Sequence, residues 1–91
     1  MVTVTEAARE ELLLILESSG AQEPGVGLRM VPDQQGNIGL VLDTEKEDDQ
    51  VVEHEGARVL LVDGEVSRAL KGWIVDYQDH PEGRRLVVIR E

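Results

Sequence analysis

The chain has no cysteine in its 91 residues. This absence excludes disulfide bonds, zinc–thiolate centres and a cysteine nucleophile. Aromatic residues are almost as scarce, with one tryptophan, one tyrosine and no phenylalanine. The hydrophobic core must therefore consist mainly of valine, leucine and isoleucine.

Basic side chains are also few, with 9 lysines and arginines against 19 acidic residues and a net charge of −10. Binding of nucleic acid requires cations that neutralise phosphates, and an acidic chain is repelled by DNA, RNA and anionic membranes. We therefore expect no nucleic-acid partner and no membrane partner. The charge is explained by solubility, while docking to a basic protein stays open as an alternative that predicts weaker binding at high salt.

Long apolar runs are missing as well. The longest, residues 12–16, is too short to cross a bilayer. The first residues, "MVTVTEAAREE", lack the basic region and the apolar region of a signal peptide. We expect a cytoplasmic protein whose residues 1–91 form a single domain, since 41% of them are hydrophobic and the length suits one core.

One amphipathic helix is predicted near the start of the chain. Thr5 is a suitable N-cap and Glu6 favours the first turn, where the helix dipole stabilises an anion. Gly20 is a natural stop after the last turn. Apolar residues recur at helical spacing, and Leu13 and Leu14 widen the apolar face that they form: Ala8, Leu12, Ile15 and Leu16.

The remaining chain alternates with the period of strands. "VGLRMV" and "NIGLVLD" predict a hairpin, and "VVEHEGARVLLVD" predicts two strands joined by a turn at Glu55 and Gly56. Asp63 caps a short second helix that ends by Gly72. "WIVDYQ" and "RRLVVIR" predict the closing hairpin. The fold class is therefore α+β and mostly β.

These segments, in this order, resemble the HesB/IscA-like family of A-type iron–sulfur carriers. The resemblance lies in "VTVTEAAREELLLIL", "GVGLRM", "GNIGLVLD", "VVEHEGARVLLVD" and "LKGWIVDYQ", and it covers nearly the whole chain. It implies a compact, β-sandwich-type domain with an N-terminal helix and a short second helix.

The resemblance also implies where ligands would lie. Members of the family hold iron or a cluster on three cysteines, one in the glycine-rich loop and two in a Cys-Gly-Cys near the C-terminus. The first position falls on or next to Asn37, and the chain ends soon after "LVVIR". Because asparagine is a weak neutral ligand that cannot replace a thiolate, we interpret Gly36, Asn37 and Gly39 as a degenerate ligand loop without a cofactor, and we expect positive φ angles at both glycines.

Other residues carry weaker signals. His54 and His80 are weak metal candidates that would need carboxylates such as Glu53, Glu55, Asp79 or Glu82, and exposed turn positions are the expected alternative. The acidic "DTEKEDD" lacks the pattern of a calcium loop and is interpreted as a solvated loop. Three serines have no base nearby in the sequence, so catalysis by them is not expected: Ser18, Ser19 and Ser67.

Three other residues share one face of a predicted strand: Trp73, Val75 and Tyr77. Packing in the core is their expected role, whereas an exposed Trp–Tyr pair would mark a partner surface.

The sequence therefore predicts a non-catalytic binding or accessory protein that acts as a homodimer or on a protein partner and binds no cluster. Two alternatives stay open. One is a residual role in iron binding or iron–sulfur assembly, with ligands from His54, His80, carboxylates or a partner's thiols. The other is an enzyme, which would need a buried pocket where a histidine lies beside a carboxylate.

Overall fold

The computed structural model describes residues 2–20, 25–35 and 38–90. Strands dominate these residues and two helices accompany them, which confirms the α+β, mostly β fold class. The elements follow in this order: β1 (Thr3–Val4), α1 (Glu6–Ser18), β2 (Val26–Pro32), β3 (Ile38–Thr44), β4 (Gln50–His54), β5 (Ala57–Val62), α2 (Gly64–Ala69), β6 (Trp73–Gln78) and β7 (Arg85–Arg90).

The strands form two sheets. One has four strands in the order β3-β2-β5-β4, and the other has three in the order β1-β6-β7. All three predicted hairpins are antiparallel pairs, namely β2–β3, β4–β5 and β6–β7. The two pairings between distant segments, β2 with β5 and β1 with β6, are parallel. The pairing of β2 with β5 joins two hairpins into the four-stranded sheet, and the pairing of β1 with β6 adds the N-terminal strand to the third hairpin.

Local conformation explains two features of β4 and β5. Both turn residues have left-handed backbones, with φ of 51° at Glu55 and 83° at Gly56, as two-residue hairpin turns require. The pairing then shifts between Val52 and Glu53, so that Val59 has no opposite residue. Such a bulge lets neighbouring side chains turn to the same side, and Val59 and Leu60 are both fully buried in the core.

Helix α1 begins and ends as its sequence indicates. The Thr5 side chain accepts a hydrogen bond from the Ala8 amide, and Gly20 follows the helix with a φ of 76°. Ala8, Leu12 and Leu16 are buried. The expectation that Leu14 widens this face is wrong, because Leu14 lies about 200° around the helix from Leu12 and is exposed.

A network of hydrogen bonds connects the start of α1 to strand β6. The Thr5 hydroxyl donates to Oδ1 of Asp76 at 2.7 Å while it accepts from the Ala8 amide at 3.2 Å. The Asp76 carboxylate also accepts from the Tyr77 amide and the Gln78 side chain. These bonds, led by that from Thr5, hold the pKa of Asp76 below its ordinary value. Asp76 therefore has a structural role.

The core lies between the two sheets and α1, and it is almost entirely aliphatic, as the composition predicts. Trp73 and Tyr77 are half-buried and pack against it, while Val75 between them is fully buried. None of the described helices is long and apolar enough to span a membrane. The buried members of the core are Val2, Val4, Ala8, Leu12, Leu16, Leu28, Met30, Val59, Leu60, Val62 and Val75.

Candidate functional site

The candidate loop connects β2 to β3. The Asp33 carboxylate accepts a hydrogen bond from the Gln35 amide at 2.8 Å, which turns the chain after Pro32. Gly36 and Asn37 lie outside the described residues. Gly39 lies within β3, opposite Val31.

The expectation of a positive φ at Gly39 is wrong. Gly39 has an ordinary strand backbone and is not among the residues with positive φ. A Cβ atom added there would lie 3.5 Å from the Val31 carbonyl oxygen, an ordinary contact. Since Gly39 belongs to a regular ladder, neither its conformation nor its surroundings require glycine.

A groove of about 290 Å³ lies beside the start of β3. Its walls come from α1, from β3 and from the hairpin of β6 and β7, and apolar side chains alternate with charged ones. The Arg84 guanidinium lies 4.5 Å from the centre of the Tyr77 ring and 3.2 Å from the Asp79 carboxylate. The lining residues are Glu11, Ile15, Ile38, Leu40, Tyr77, Arg84, Arg85 and Leu86.

The chemistry of this groove favours binding over catalysis. Ile38, Leu40 and Leu86 provide apolar surface, while Arg84 and Arg85 offer hydrogen-bond donors to an anion. None of the lining residues is a histidine, serine or threonine. The groove therefore combines apolar contact with a cationic rim and has no nucleophile paired with a base.

The two histidines lie in different parts of the fold. His54 ends β4, and its Nε2 lies 3.6 Å from Oε2 of Glu55. His80 lies between β6 and β7, where its Nδ1 accepts a hydrogen bond from the Glu82 amide at 3.2 Å. Both are half-buried rather than exposed. Within residues 2–20, 25–35 and 38–90, no three histidine or carboxylate side chains are grouped so as to hold a metal ion.

The serines are also placed for structural roles. Ser67 is buried, and its hydroxyl donates to Oε1 of Gln50 at 2.7 Å. The same Gln50 side chain accepts from the Val2 amide and donates to the Val2 carbonyl. An amide oxygen is not a general base at neutral pH, so the Ser67 hydroxyl is not activated. Ser18 and Ser19 are exposed near the end of α1.

A second pocket of about 420 Å³, lined mostly by residues with polar side chains, lies beside α2. A Cβ atom added to Gly64 would collide with the side chain of Asp48, so this glycine lets α2 approach the acidic segment closely. Arg68 bonds the Asp48 carboxylate at 3.3 Å. The pocket is lined by Asp48, Asp49, Gln50, Val51, Gly64, Ser67 and Arg68.

Arg29 lies at the centre of the most extensive polar cluster among the described residues, and no motif in the sequence predicted this cluster. Its guanidinium donates to Asp43 at 2.6 Å, to both oxygens of Asp49 at 2.9 and 2.7 Å, and to the Thr44 carbonyl at 3.2 Å. Arg29 is 8% exposed, and the Asp49 side chain is 1% exposed. The signal was a single arginine in an otherwise apolar strand, followed by a dense acidic segment.

These bonds change the interpretation of "DTEKEDD". Hydrogen bonds from Arg29 are the main cause that lowers the pKa of Asp43 and of Asp49 and raises that of Arg29. The Asp49 carboxylate also accepts from the Lys46 amide, and Glu45 bonds Arg58 at 2.9 Å. The expectation of a solvated loop is therefore wrong for Asp43 and Asp49, which are bonded in place.

Comparisons with known proteins agree on the fold. No model of a protein family matches the chain. A protein of Cereibacter sphaeroides, described as an uncharacterized protein in the nifU 5′ region, is 36% identical over 92 residues, which cover 96% of this chain and 84% of that protein. The Escherichia coli protein SufA, involved in biosynthesis of iron–sulfur clusters, is 26% identical with a TM-score of 0.65, over 98% of this chain and 84% of SufA.

Two further structures share the fold at lower identity. IscA with a [2Fe–2S] cluster has a TM-score of 0.58 and 24% identity, over 99% of this chain and 85% of IscA. A protein from Aquifex aeolicus has a TM-score of 0.62 and 22% identity, over 99% of this chain and 91% of its own. At these identities the likeness concerns the fold alone.

Proposed function

Because this chain belongs to the HesB/IscA-like family of A-type iron–sulfur carriers as a divergent member without cysteine, we propose that it is a non-catalytic binding or accessory protein. It keeps the carrier fold, binds no cluster and acts through a protein surface in the cytoplasm. One observation supports this proposal above all: none of the 91 residues is a cysteine, so the chain has no thiolate that could bind a cluster. Proteins hold iron–sulfur clusters chiefly on thiolates, with imidazole as the occasional replacement.

The described residues support the absence of cluster binding and of catalysis. The two histidines belong to different parts of the fold, with His54 at the end of β4 and His80 in the connection between β6 and β7, and Nδ1 of His80 is already bonded to the Glu82 amide. The Ser67 hydroxyl bonds an amide instead of a base. We include in the proposal that residues 36, 37 and 39 are what remains of the family's ligand loop, and that the unit of function is the single domain 1–91.

Anaerobic titration with ferrous iron and sulfide tests this function. After desalting, we expect no retained iron and no charge-transfer absorption in the visible spectrum. IscA, solved with a [2Fe–2S] cluster, is the positive control that shows the titration conditions load a cluster.

Retention of iron at a fixed ratio would contradict the proposal and favour the alternative role in iron binding. That alternative has one supporting contact, the His54 Nε2 that lies 3.6 Å from the Glu55 carboxylate. The variants His54→Ala and His80→Ala would then show which imidazole holds the iron. Loss of iron in either variant, with an unchanged far-ultraviolet circular dichroism spectrum, would assign the ligand.

A further inference from the structure

The groove beside the start of β3 is an opening at the side of the core. Its apolar side chains come from α1, β3, β6 and β7, and they are half-buried and pack against the buried core. Because this packing holds the lining in place, an apolar group could enter the groove without a rearrangement of the chain. The apolar lining consists of Ile15, Ile38, Leu40, Tyr77 and Leu86.

The size of the groove limits what it can hold. Its volume of about 290 Å³ lies at the lower end of the pockets that bind small molecules. The end of a peptide fits such a volume. The apolar face of a helix does not, because it presents a continuous stripe several turns long.

Two adjacent arginines, Arg84 and Arg85, form a cationic rim on this groove. Arg85 is exposed and makes no ion pair with another described residue. Arg84 bonds Asp79 in a pair whose side chains are 57% and 91% exposed. Since exposed ion pairs contribute little stability, an incoming carboxylate can replace Asp79. Contact with the Tyr77 ring, whose centre is 4.5 Å away, holds the Arg84 guanidinium beside the apolar lining.

The cationic rim complements an anion in spite of the acidic character of the protein. The net charge of −10 acts weakly on an anion in the groove, because salt screens charges beyond a Debye length of about 8 Å. The nearest groups therefore decide. Guanidinium groups bind a carboxylate through charge-assisted hydrogen bonds, which are stronger beside apolar surface than in open water.

Glu11 gives the groove a second polar feature. It lies on the wall that α1 provides, it is half-buried, and its carboxylate makes no hydrogen bond or ion pair with another described residue. A carboxylate in this position repels a second anion and accepts a hydrogen bond from an N–H group. The groove therefore matches a ligand with one carboxylate, one apolar side chain and one N–H donor.

We propose that the groove binds the C-terminal residue of a partner protein. The apolar side chain of that residue packs against the apolar lining, its free α-carboxylate bonds Arg84 and Arg85, and its backbone N–H donates to Glu11. A C-terminal residue carries all three groups on one α-carbon, whereas a free fatty acid lacks the N–H. This inference deepens the proposed function and rests on it for the claim that the protein works through contact with another protein.

Titration of the intact chain with short peptides, followed by amide NMR, tests the proposal. The probes are two acetylated tripeptides, Gly-Gly-Leu and Gly-Gly-Phe, each with a free C-terminal carboxylate. We expect a Kd of about 1 mM or below, with shifts concentrated in α1, β3 and the start of β7. The same peptides with a C-terminal amide should bind at least about tenfold more weakly, because they lack the charge. If neither carboxylate peptide binds at about 10 mM, or if the amides bind equally well, the proposal is wrong.

Two carboxylic acids distinguish a protein C-terminus from a small-molecule ligand. Isocaproic acid and hydrocinnamic acid are leucine and phenylalanine without the amino group, so they have no N–H for Glu11. We expect both to bind several-fold more weakly than the peptides. The variant Glu11→Ala should remove this preference for the peptides. Equal or tighter binding of the acids to the natural chain would overturn the assignment to a protein C-terminus, and a preference that persists in Glu11→Ala would overturn the orientation.

Two arginine variants locate the site. Arg85→Gln should weaken peptide binding about tenfold, because it removes a charge that faces the carboxylate. Arg90→Gln is the matched control, since Arg90 is an exposed arginine at the other end of β7 and does not line the groove. Its affinity should stay within about twofold of the natural chain. Both positions are exposed, and circular dichroism verifies that both variants fold.

Equal losses of affinity in the two variants would show a general effect of removing a cation from an acidic protein and would overturn the site. The iron titration does not involve the groove, and peptide binding requires no iron. Failure of the proposed function and failure of this inference are therefore distinguishable.

Discussion

At the scale of single residues, Arg29 determines how the acidic segment after β3 is held. Its guanidinium bonds two carboxylates and a carbonyl that lie 14 to 20 positions further along the chain. Asp49 is the more buried of the two carboxylates. Its negative charge is stabilised by two hydrogen bonds from Arg29 and one from the Lys46 amide. A buried charge that loses its partner costs far more than an exposed one.

Replacing Arg29 should therefore destabilise the protein strongly. In Arg29→Met, the apolar stem is kept and Asp49 is left buried without its cation, and we expect a loss of about 3 kcal/mol in the free energy of unfolding. Urea denaturation measures it. Arg68→Met is the matched control, since Arg68 and Asp48 are exposed and the expected loss is below about 1 kcal/mol. Equal losses in both variants would contradict the role assigned to Arg29.

At the scale of elements, strands β2 and β3 contain one glycine each, and these two glycines have different roles. Gly27 lies in β2, where an added Cβ atom would come within 2.7 Å of the Arg58 carbonyl oxygen and 3.3 Å of the Leu61 side chain. This glycine lets β2 approach β5. Gly39 on the opposite strand has room for a methyl group and an ordinary strand backbone. Of these two positions, only that of Gly27 requires glycine for packing, because it lies against the backbone of β5.

The changes in the free energy of unfolding caused by alanine at these two positions should therefore differ in sign. Gly27→Ala forces backbone to move and should cost about 1–3 kcal/mol. Gly39→Ala should be neutral or stabilise by up to about 1 kcal/mol, because alanine has less freedom in the unfolded chain. Thermal and urea unfolding of both variants measure this. A large loss of stability in Gly39→Ala would show that this position of β3 still needs glycine.

The predicted elements also show what local sequence can and cannot predict. Thr5 and Gly20 mark the two ends of α1, because capping depends only on residues within one turn. Leu14 is different, since a leucine is equally compatible with either side of a helix. Its exposure depends on which face of α1 meets the sheets, and that is decided by packing.

At the scale of the whole molecule, three carboxylates link stability to pH. Asp43, Asp49 and Asp76 each have a pKa lowered from the ordinary 3.8. In Asp43 and Asp49 the main cause is a hydrogen bond from Arg29, and in Asp76 it is the bond from Thr5. A lowered folded-state pKa contributes stability that is complete above the unfolded pKa and is lost as the pH falls through the folded pKa.

We therefore expect the urea midpoint to be constant from about pH 8 to about pH 5 and to fall steeply below about pH 4. Arg29→Met should make this acid decline shallower, because it removes the principal cause of two of the three lowered pKa values. Urea titrations of both proteins between about pH 2 and about pH 8 measure the difference. A wild-type midpoint that rises on acidification would contradict the sign.

The sequence by itself determined the elements and the missing chemistry. Capping residues, alternating apolar residues and turn glycines act over a few positions, so their effect can be predicted without knowledge of the fold. A chain without cysteine has no thiolate in any conformation. Only the tertiary structure decided that Arg29 meets Asp49, that Ile38 and Arg85 line one groove, and that β3 is an edge strand. These facts depend on the order of strands within the sheets and on the packing of one sheet against the other, which bring together residues far apart in the chain.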